Sequence, residues 1–474
     1  MKLTGGQIVA RTLLDRGVPW IAGIPGHGCL ALVDAFLEEN SGLPLYMVRH
    51  EQSAVHMADG YYRVTGRPAA VFTSIGPGAL NLAVGLGTAY VDSTAVLALT
   101  GETHSYMFGR GVLQEIERTR VADSLRVLEP VSKFAALVTR VEQLPHMLNR
   151  AFKAMQGGRA GPAVISLPMD VQADALDYAP ETFECSTIRL PHPDAAALKN
   201  AAALLGEARR PVILAGGGVL RSRASQALLT LAERLGAAVI TTMAGKSCFP
   251  EDHPLYAWHA GSKGTKCGNE LASSADILLA VGCRFADETT SSYRKGISFN
   301  IPPTKLIHAD IDPLEIGKNY PVTEGLIGDA GAILQGLVEE LGPAAEDFHN
   351  KAYTAEIAER KSAWLKTLEP FRSVTHVPVT LSRALCEIRR ALPRHGYLVT
   401  SSGHSQAQIL QEFPFYEPGT LVTTGGFSTM GFALPAAMGV KLACPEAPVA
   451  AVVGDGDFLM TVQELATAKQ YGLP

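Results

Sequence analysis

Two carboxylates in this chain stand where acid–base or metal chemistry is readable. Asp455 lies in Val453-Gly454-Asp455-Gly456-Asp457, directly after an apolar stretch and before a helical pattern over 458–472. At the C-terminal edge of a parallel sheet the next helix presents unpaired N–H groups and its positive dipole end. There Gly454 and Gly456 let backbone approach a phosphate, and Asp455 offers a hard oxygen to Mg2+ or Ca2+. The same residues also suit a solvated turn. Glu51, in Arg49-His50-Glu51-Gln52, closes a run ending at Val48 and opens a helix with Ala54, Met57, Ala58 and Tyr61 on its apolar side. A carboxyl group so placed can act as an acid or base, especially where apolar neighbours raise its pKa, or simply complement the helix dipole. Two Gly turns join them: Gly76-Pro77-Gly78 with Asn81 after an apolar strand, and Gly23-Ile24-Pro25-Gly26 after Trp20. Together they describe a site built from backbone, as phosphate-bearing cofactors require.

The elements that must position these residues follow from short apolar runs bounded by Gly or Pro. Strands are predicted at Trp20–Ile24, Leu45–Val48, Ala69–Thr73, Ala95–Leu99 and Ala163–Leu167, alternating with helical patterns, which is the grammar of a parallel sheet covered on both faces. Tyr178–Pro193 reads as a linker. A second block starts with a helix over 194–208, then strands at Pro211–Ala215, running into Gly216-Gly217-Gly218, and at Ala237–Thr241, Ile277–Val281 and Lys305–His308. A charged helical stretch over 342–375 reads as a surface connector to a third block, with strands near Tyr397–Thr400, Leu421–Thr423 and Val449–Val453. Blocks one and three share a Gly-rich turn, an Ala-rich helix and a proline-preceded strand, a likeness that shared α/β grammar also produces.

Composition bounds the partners. The 474 residues suffice for about three domains, and 47% hydrophobic against 18% charged residues is the balance of a packed protein. A net charge of −5 gives no basic footprint for nucleic acid or an anionic membrane. The seven cysteines (Cys29, Cys185, Cys248, Cys267, Cys283, Cys386, Cys444) are scattered and never spaced CxxC, so they read as buried reduced thiols, not a disulfide framework or zinc site. Arg11, Asp15 and Arg16 interrupt any apolar signal, and the uncharged stretches Ala69–Val91 and Pro418–Val440 are too polar for lipid, so a cytoplasmic chain is expected. The sequence has no GxGxxG, no GxxxxGK[ST] and no GxSxG in a strand–turn–helix setting. His50, His56, His104, His308 and His404 show no metal spacing and read as structural or surface groups.

The order of motifs resembles the thiamine diphosphate-dependent enzymes of the acetolactate synthase (acetohydroxyacid synthase large subunit) and pyruvate oxidase group, from residue 3 to the last. The marks are HEQSAVHMADGYYRVTGRPAAVFTSIGPGALN (50–81), GRAGPAVISLPMDVQ (158–172), HADIDPLEIGK (308–318), GGFSTMGFALPAAMG (425–439) and GDGDFLMTVQELATA (454–468). The resemblance implies an α/β fold of three doubly wound parallel-sheet domains: a pyrimidine-binding domain over 1–180, a central domain over 190–342 and a pyrophosphate-binding domain over 376–474. It also implies a homodimer or homotetramer, with each catalytic site between the first domain of one subunit and the third of its partner. Glu51 would be the catalytic acid, hydrogen-bonding the cofactor's aminopyrimidine in a dry pocket that raises its pKa. Met430 would wedge beneath the cofactor, Asp455 would bind Mg2+, and Gly454, Gly456 and Asp457 would lie beside the diphosphate. Gly403 and His404 match the turn that covers the cofactor, Ser428 would stand near the cofactor, and Pro25, Gly26 and Asn81 match the facing side. FAD in the central domain would be held by Arg159, Gly216, Gly217, Gly264, Thr265, Arg284, Asp310 and Asp329.

The substrate side departs from the pattern. Synthases show Phe-Gln-Glu at Leu113-Gln114-Glu115, Lys-His at Lys133-Phe134, Gln at Glu102, Lys at Met169, Gly at Ser428 and Gln at His404. Gln114 and Lys133 remain the candidate substrate contacts. The family's metal site also draws an Asn from past the position of Pro474, so the resemblance implies a second ligand outside this sequence. The activity implied is decarboxylation of a 2-oxo acid with carboligation onto a second carbonyl, acetolactate formation leading. The alternatives are a benzaldehyde lyase or 2-oxo acid decarboxylase type, and an inactive homologue, against which Glu51, Met430 and Asp455 all count. Glu51 also excludes the glyoxylate carboligase type.

Overall fold

The computed structural model describes residues 1–38, 42–116, 124–179, 190–342 and 351–474. By contacts the chain forms two compact units: Met1–Arg189 with Val399–Ser401 and Thr424–Pro474, and Leu190–Leu398 with Ser402–Thr423. Residues of the expected third domain are therefore shared between the two.

In the first unit six parallel strands lie in the order Leu45–Met47, Ile21–Gly23, Ala70–Thr73, Leu97–Glu102, Ala163–Pro168, Phe134–Leu137. All five predicted strands are present, with ends moved by up to three residues. The sixth was not predicted: Phe134–Leu137 is an edge strand whose half-buried residues carry little apolar signal. Lys2–Thr4 also pairs antiparallel with Ala175–Asp177, too short and polar to read from sequence. One face of the sheet is filled by Ile8, Leu32, Phe36, Phe72, Leu99 and Ile165, the other by Trp20, Val55, Ala58, Val71, Ala98 and Val164. Sheet register puts Phe72, Leu99 and Ile165 in one row and Val71, Ala98 and Val164 in the next, so the alternation of side chains builds two cores from one sheet.

The Glu51–Thr65 helix starts on His50, whose Nδ1 accepts the Gln52 N–H at 3.2 Å, and stops at Gly66 in the left-handed conformation. It crosses the Ala433–Ala443 helix backbone to backbone. A Cβ on Gly60 would collide with the Ala436 carbonyl, and one on Gly439 with that of Met57, which explains the glycines of both motifs.

The second unit holds another six-stranded parallel sheet, in the order Tyr256–His259, Ala238–Thr241, Pro211–Ala215, Ile277–Val281, Lys305–Asp310, Glu324–Ile327. Counted along the chain this is 3-2-1-4-5-6, the dinucleotide-binding form of the doubly wound sheet. Tyr256–His259 and Glu324–Ile327 are the two edge strands and were not predicted. The helix Lys351–Arg372 corrects the surface-connector reading: Tyr353 and Ile357 are buried in this unit's core and the Tyr353 hydroxyl donates to the Pro211 carbonyl at 3.2 Å. Residues 343–350 of that stretch, Cys185 and most of the predicted linker lie outside the described residues. Cys29, Cys248, Cys267 and Cys283 are buried thiols, whereas Cys386 and Cys444 are only half-buried. Strands Tyr397–Thr400 and Leu421–Thr423 match their predicted bounds, and Val449–Ala451 ends two residues early. Among the described residues no helix is long and apolar enough to cross a membrane.

Candidate active site

Glu51 is the first residue of its helix, at the C-terminal edge of the first unit's sheet, and is 9% exposed. Its Oε2 accepts the Asn81 side-chain N–H at 2.9 Å. Its Oε1 faces Gly78, where a Cβ would stand 3.1 Å away, so a side chain there would crowd that oxygen by a few tenths of an ångström. The Gly76-Pro77-Gly78 turn needs its first glycine as well: Gly76 has φ +54°, and a Cβ there would collide with the Gln114 carbonyl. That contact brings Gln114, itself exposed, to the turn beside Glu51. Gly26 packs against Ser74, whose hydroxyl accepts the Gly28 N–H at 3.3 Å, leaving Pro25 exposed at the same edge.

The approach to Glu51 is braced from residues near the end of the chain. The fully buried Glu464 accepts the Arg49 N–H at 3.0 and 3.3 Å, and the Tyr471 hydroxyl accepts the Met47 N–H at 2.8 Å. Gln52 reaches the His56 ring at 3.1 Å; burial, with the Arg63 and His50 charges adding, pushes the His56 pKa down to about 3, so the ring is neutral.

The second group of predicted residues lies on the loop 425–431 and the Asp455–Thr461 helix. Thr429 points inward, its hydroxyl 2.7 Å from that of Thr88, while Ser428, at φ +52°, and Met430, 43% exposed, point outward. Gly454 caps the helix and Asp455 opens it with its side chain exposed; Gly456 lies beside Met430, a Cβ there standing 4.0 Å from Sδ. Asp457 does something else. It is 4% exposed, accepts the Gly431 N–H at 2.5 Å and the Ser401 hydroxyl, and so joins the metal-type motif to the Met430 loop instead of presenting charge outward. Gly403, at φ +86°, and His404 begin the His404–Glu412 helix in the second unit, both exposed.

Lys133, a candidate substrate contact, lies away from Glu51 within one chain. It precedes the Phe134–Leu137 strand, at the sheet edge opposite Glu51, and its ammonium donates to the carbonyls of Gly157 and Arg159 at 2.8 and 2.5 Å. Arg159 lies at that same opposite edge, donating to Ser93 Oγ at 2.8 Å and the Val91 carbonyl at 3.1 Å. The other seven FAD candidates lie at or after the C-terminal ends of strands of the second unit's sheet. Gly216 and Gly218 pack onto the backbone of Gly282, which closes the turns where the strand order reverses. Gly217 lies against Ala244, a Cβ there standing 3.1 Å from the Ala244 Cβ, and Gly264 folds tightly onto Gly261. Thr265 caps the Lys266–Ser273 helix, and Asp329 caps Ala330–Glu340 while accepting Ser222 Oγ at 2.5 Å. Arg284 is half-buried. Asp310 is buried, which raises its pKa although the Asp312 N–H donates to it at 2.9 Å. His308, also buried, contacts the Cys283 carbonyl at 2.8 Å, a structural role as predicted.

The matches to known proteins bear on this arrangement. The sequence matches the thiamine pyrophosphate enzyme N-terminal TPP binding domain over residues 3–121, the central domain over 198–337 and the C-terminal TPP binding domain over 401–474. It is 37% identical to the probable acetolactate synthase large subunit of Methanocaldococcus jannaschii, across 100% of this chain and 79% of that one. The chain belongs to the acetolactate synthase family of thiamine pyrophosphate enzymes. Within that family it is also 35% identical to the acetolactate synthase large subunit of Haemophilus influenzae and to the isozyme 3 large subunit of Escherichia coli, each across 100% of this chain and 81% of the relative. In family terms, Glu51 with Asn81 belongs to the N-terminal TPP binding domain and Met430 with Asp455 to the C-terminal one.

Sequence reasoning missed Asp92, Arg63 and Glu464, all of which hold these loops. A signal existed for Asp92: it is the first charged residue after Arg67, at the end of a long uncharged stretch. An acid there has to be paired or hydrogen-bonded inside the fold.

Proposed function

We propose that this chain catalyses acetolactate-synthase chemistry: decarboxylation of a 2-oxo acid, pyruvate leading, and joining of the remaining fragment to a second carbonyl, with thiamine diphosphate and Mg2+. The observation that carries it is Glu51, a buried carboxyl at the C-terminal edge of the TPP-binding domain's sheet, with one oxygen fixed by Asn81 and the other kept open by Gly78. The relatives' names do not favour the lyase or decarboxylase alternative.

When bound, the cofactor supplies the electron sink for loss of CO2 and for carbon–carbon bond formation. Glu51 would hold a proton at the cofactor's ring nitrogen from Oε1, while Asn81 fixes the rotation of the carboxyl group and the glycine turns keep bulk away from it. Asp455 would hold Mg2+. Among the described residues no group of three or more His, Cys, Asp or Glu side chains could hold a metal. That suits an ion which takes one or two carboxylates and completes its shell with phosphate oxygens and water. The exposed Met430 would support the cofactor from beneath. We further propose a homodimer or homotetramer whose sites pair Glu51 of one copy with Met430 and Asp455 of another. Phe427, Met430, Leu459 and Met460, all exposed and apolar, support a surface that a second copy covers.

FAD is the proposed ligand of the second unit. The 3-2-1-4-5-6 strand order supports it, as do Gly216, Gly217, Arg284 and Asp310 gathered at the edge where that order reverses or beside it. The test of the main proposal is Glu51→Gln. It should bind thiamine diphosphate and Mg2+ as the wild type does while losing turnover by orders of magnitude, and near-normal turnover would remove Glu51 from the mechanism.

A further inference from the structure

The loop 425–431, which carries Ser428 and Met430, is held at both ends by buried carboxylates. At its end Asp457 accepts the Gly431 N–H at 2.5 Å. At its start Asp92 accepts the Gly425 N–H at 2.6 Å and the Gly426 N–H at 3.1 Å, one on each oxygen. Asp92 belongs to the segment that follows the Ala83–Val91 helix, far away in sequence. The Arg63 guanidinium donates to Asp92 at 2.8 Å and to Asp59, and lies 5.3 Å over the ring of Phe432, the residue after the loop. Burial works against the Arg63 charge, but the two carboxylates outweigh it and hold its pKa above the usual value.

One guanidinium faces two buried carboxylates, so part of the negative charge must be met by other donors, since an uncompensated buried charge is costly. The N–H groups of Gly425 and Gly426 supply that for Asp92. Glycine at the first of them also leaves room for the carboxylate: a Cβ on Gly425 would meet the Asp92 carboxylate and force it to shift. The loop is therefore fixed before any ligand arrives, and fixing a binding loop in advance lowers the ordering cost of binding.

We propose that Asp92, oriented by Arg63, is a positioning residue that sets the affinity for thiamine diphosphate by holding the Met430 loop, without touching the cofactor. This rests on the functional reading above. The test uses the full chain, wild type and the variants Asp92→Asn and Gly425→Ala, with folding checked by circular dichroism. Thiamine diphosphate is titrated in the presence of Mg2+ by protein fluorescence, and kcat is measured at saturating cofactor. Each variant should weaken cofactor binding by about tenfold or more, with kcat at saturation reduced by no more than about threefold. The double variant should bind no more weakly than Asp92→Asn, because both changes break the same contact. A loss confined to thermal stability, with cofactor affinity unchanged in a folded variant, overturns the positioning role alone. A wild type that binds no cofactor overturns both this role and the functional reading. Should Asp92→Asn not fold, Gly425→Ala decides, because it displaces the carboxylate while leaving the charge beside Arg63 intact.

Discussion

Replacing Asn81 by Ala isolates one contact at Glu51. The Asn81 amide donates to Glu51 Oε2 at 2.9 Å, inside a pocket where Glu51 is 9% exposed. Removing it frees the carboxyl group to rotate about its last torsion, and Oε1 loses the direction that Gly78 leaves open to it. Leaving a buried polar group without its partner costs about 1–3 kcal/mol, so if orientation of Glu51 is used in the chemical step, kcat should fall roughly 5- to 150-fold. The loss should appear in kcat with thiamine diphosphate affinity changed less, because Asn81 acts through Glu51. The assay is steady-state kinetics at saturating cofactor beside a direct cofactor titration. A folded Asn81→Ala enzyme with kcat within about threefold of wild type would refute the claim that this contact aims the acid.

Asp455→Ala should weaken Mg2+-dependent binding of thiamine diphosphate, measured as affinity with and without the metal; unchanged affinity would end the metal reading of the GDG motif. Lys246→Met should cost the fold about 3–5 kcal/mol in denaturant titration. It would strand Glu251, which bonds the Lys246 ammonium at 2.8 Å with both side chains fully buried and also accepts the Phe415 N–H at 3.1 Å. Lys246→Met with Glu251→Gln should recover part of that loss. Burial, with neighbouring positive charges, lowers the pKa of both His56 and His259 to about 3. Their folded-state values lie below the ordinary histidine value, so the unfolded chain takes up the protons. Stability is then complete above about pH 6.5 and falls as pH drops toward 3, by about 1.4 kcal/mol per pH unit for each histidine. Denaturant midpoints independent of pH between 7 and 5 would contradict it.

The sequence disclosed what local chemistry dictates. Apolar runs between Gly and Pro located the central strands, because strands buried on both faces must be continuously hydrophobic. Edge strands such as Phe134–Leu137 and Glu324–Ile327 are half-exposed and lack that signal. Glu51, Asn81 and Gly78 were legible as parts of separate turns, but their convergence on one carboxyl group is a property of sheet order. The inward role of Asp457 was not legible: its place in GDGD suggests a ligand-facing acid, while the fold turns its side chain to Gly431 and Ser401. Lys133 and Arg159 were assigned by motif alone, and strand direction puts both at the edge opposite Glu51. Asp92 and Glu464 hold backbone hundreds of residues away in sequence, a relation that no local pattern encodes.

The most direct test of the account is to incubate the protein with pyruvate, Mg2+ and thiamine diphosphate, with and without FAD, and to assay acetolactate and CO2 together. Acetolactate formation should require thiamine diphosphate, increase with FAD and disappear in Glu51→Gln. CO2 without acetolactate, or no turnover of pyruvate by protein that has bound the cofactor, would contradict it.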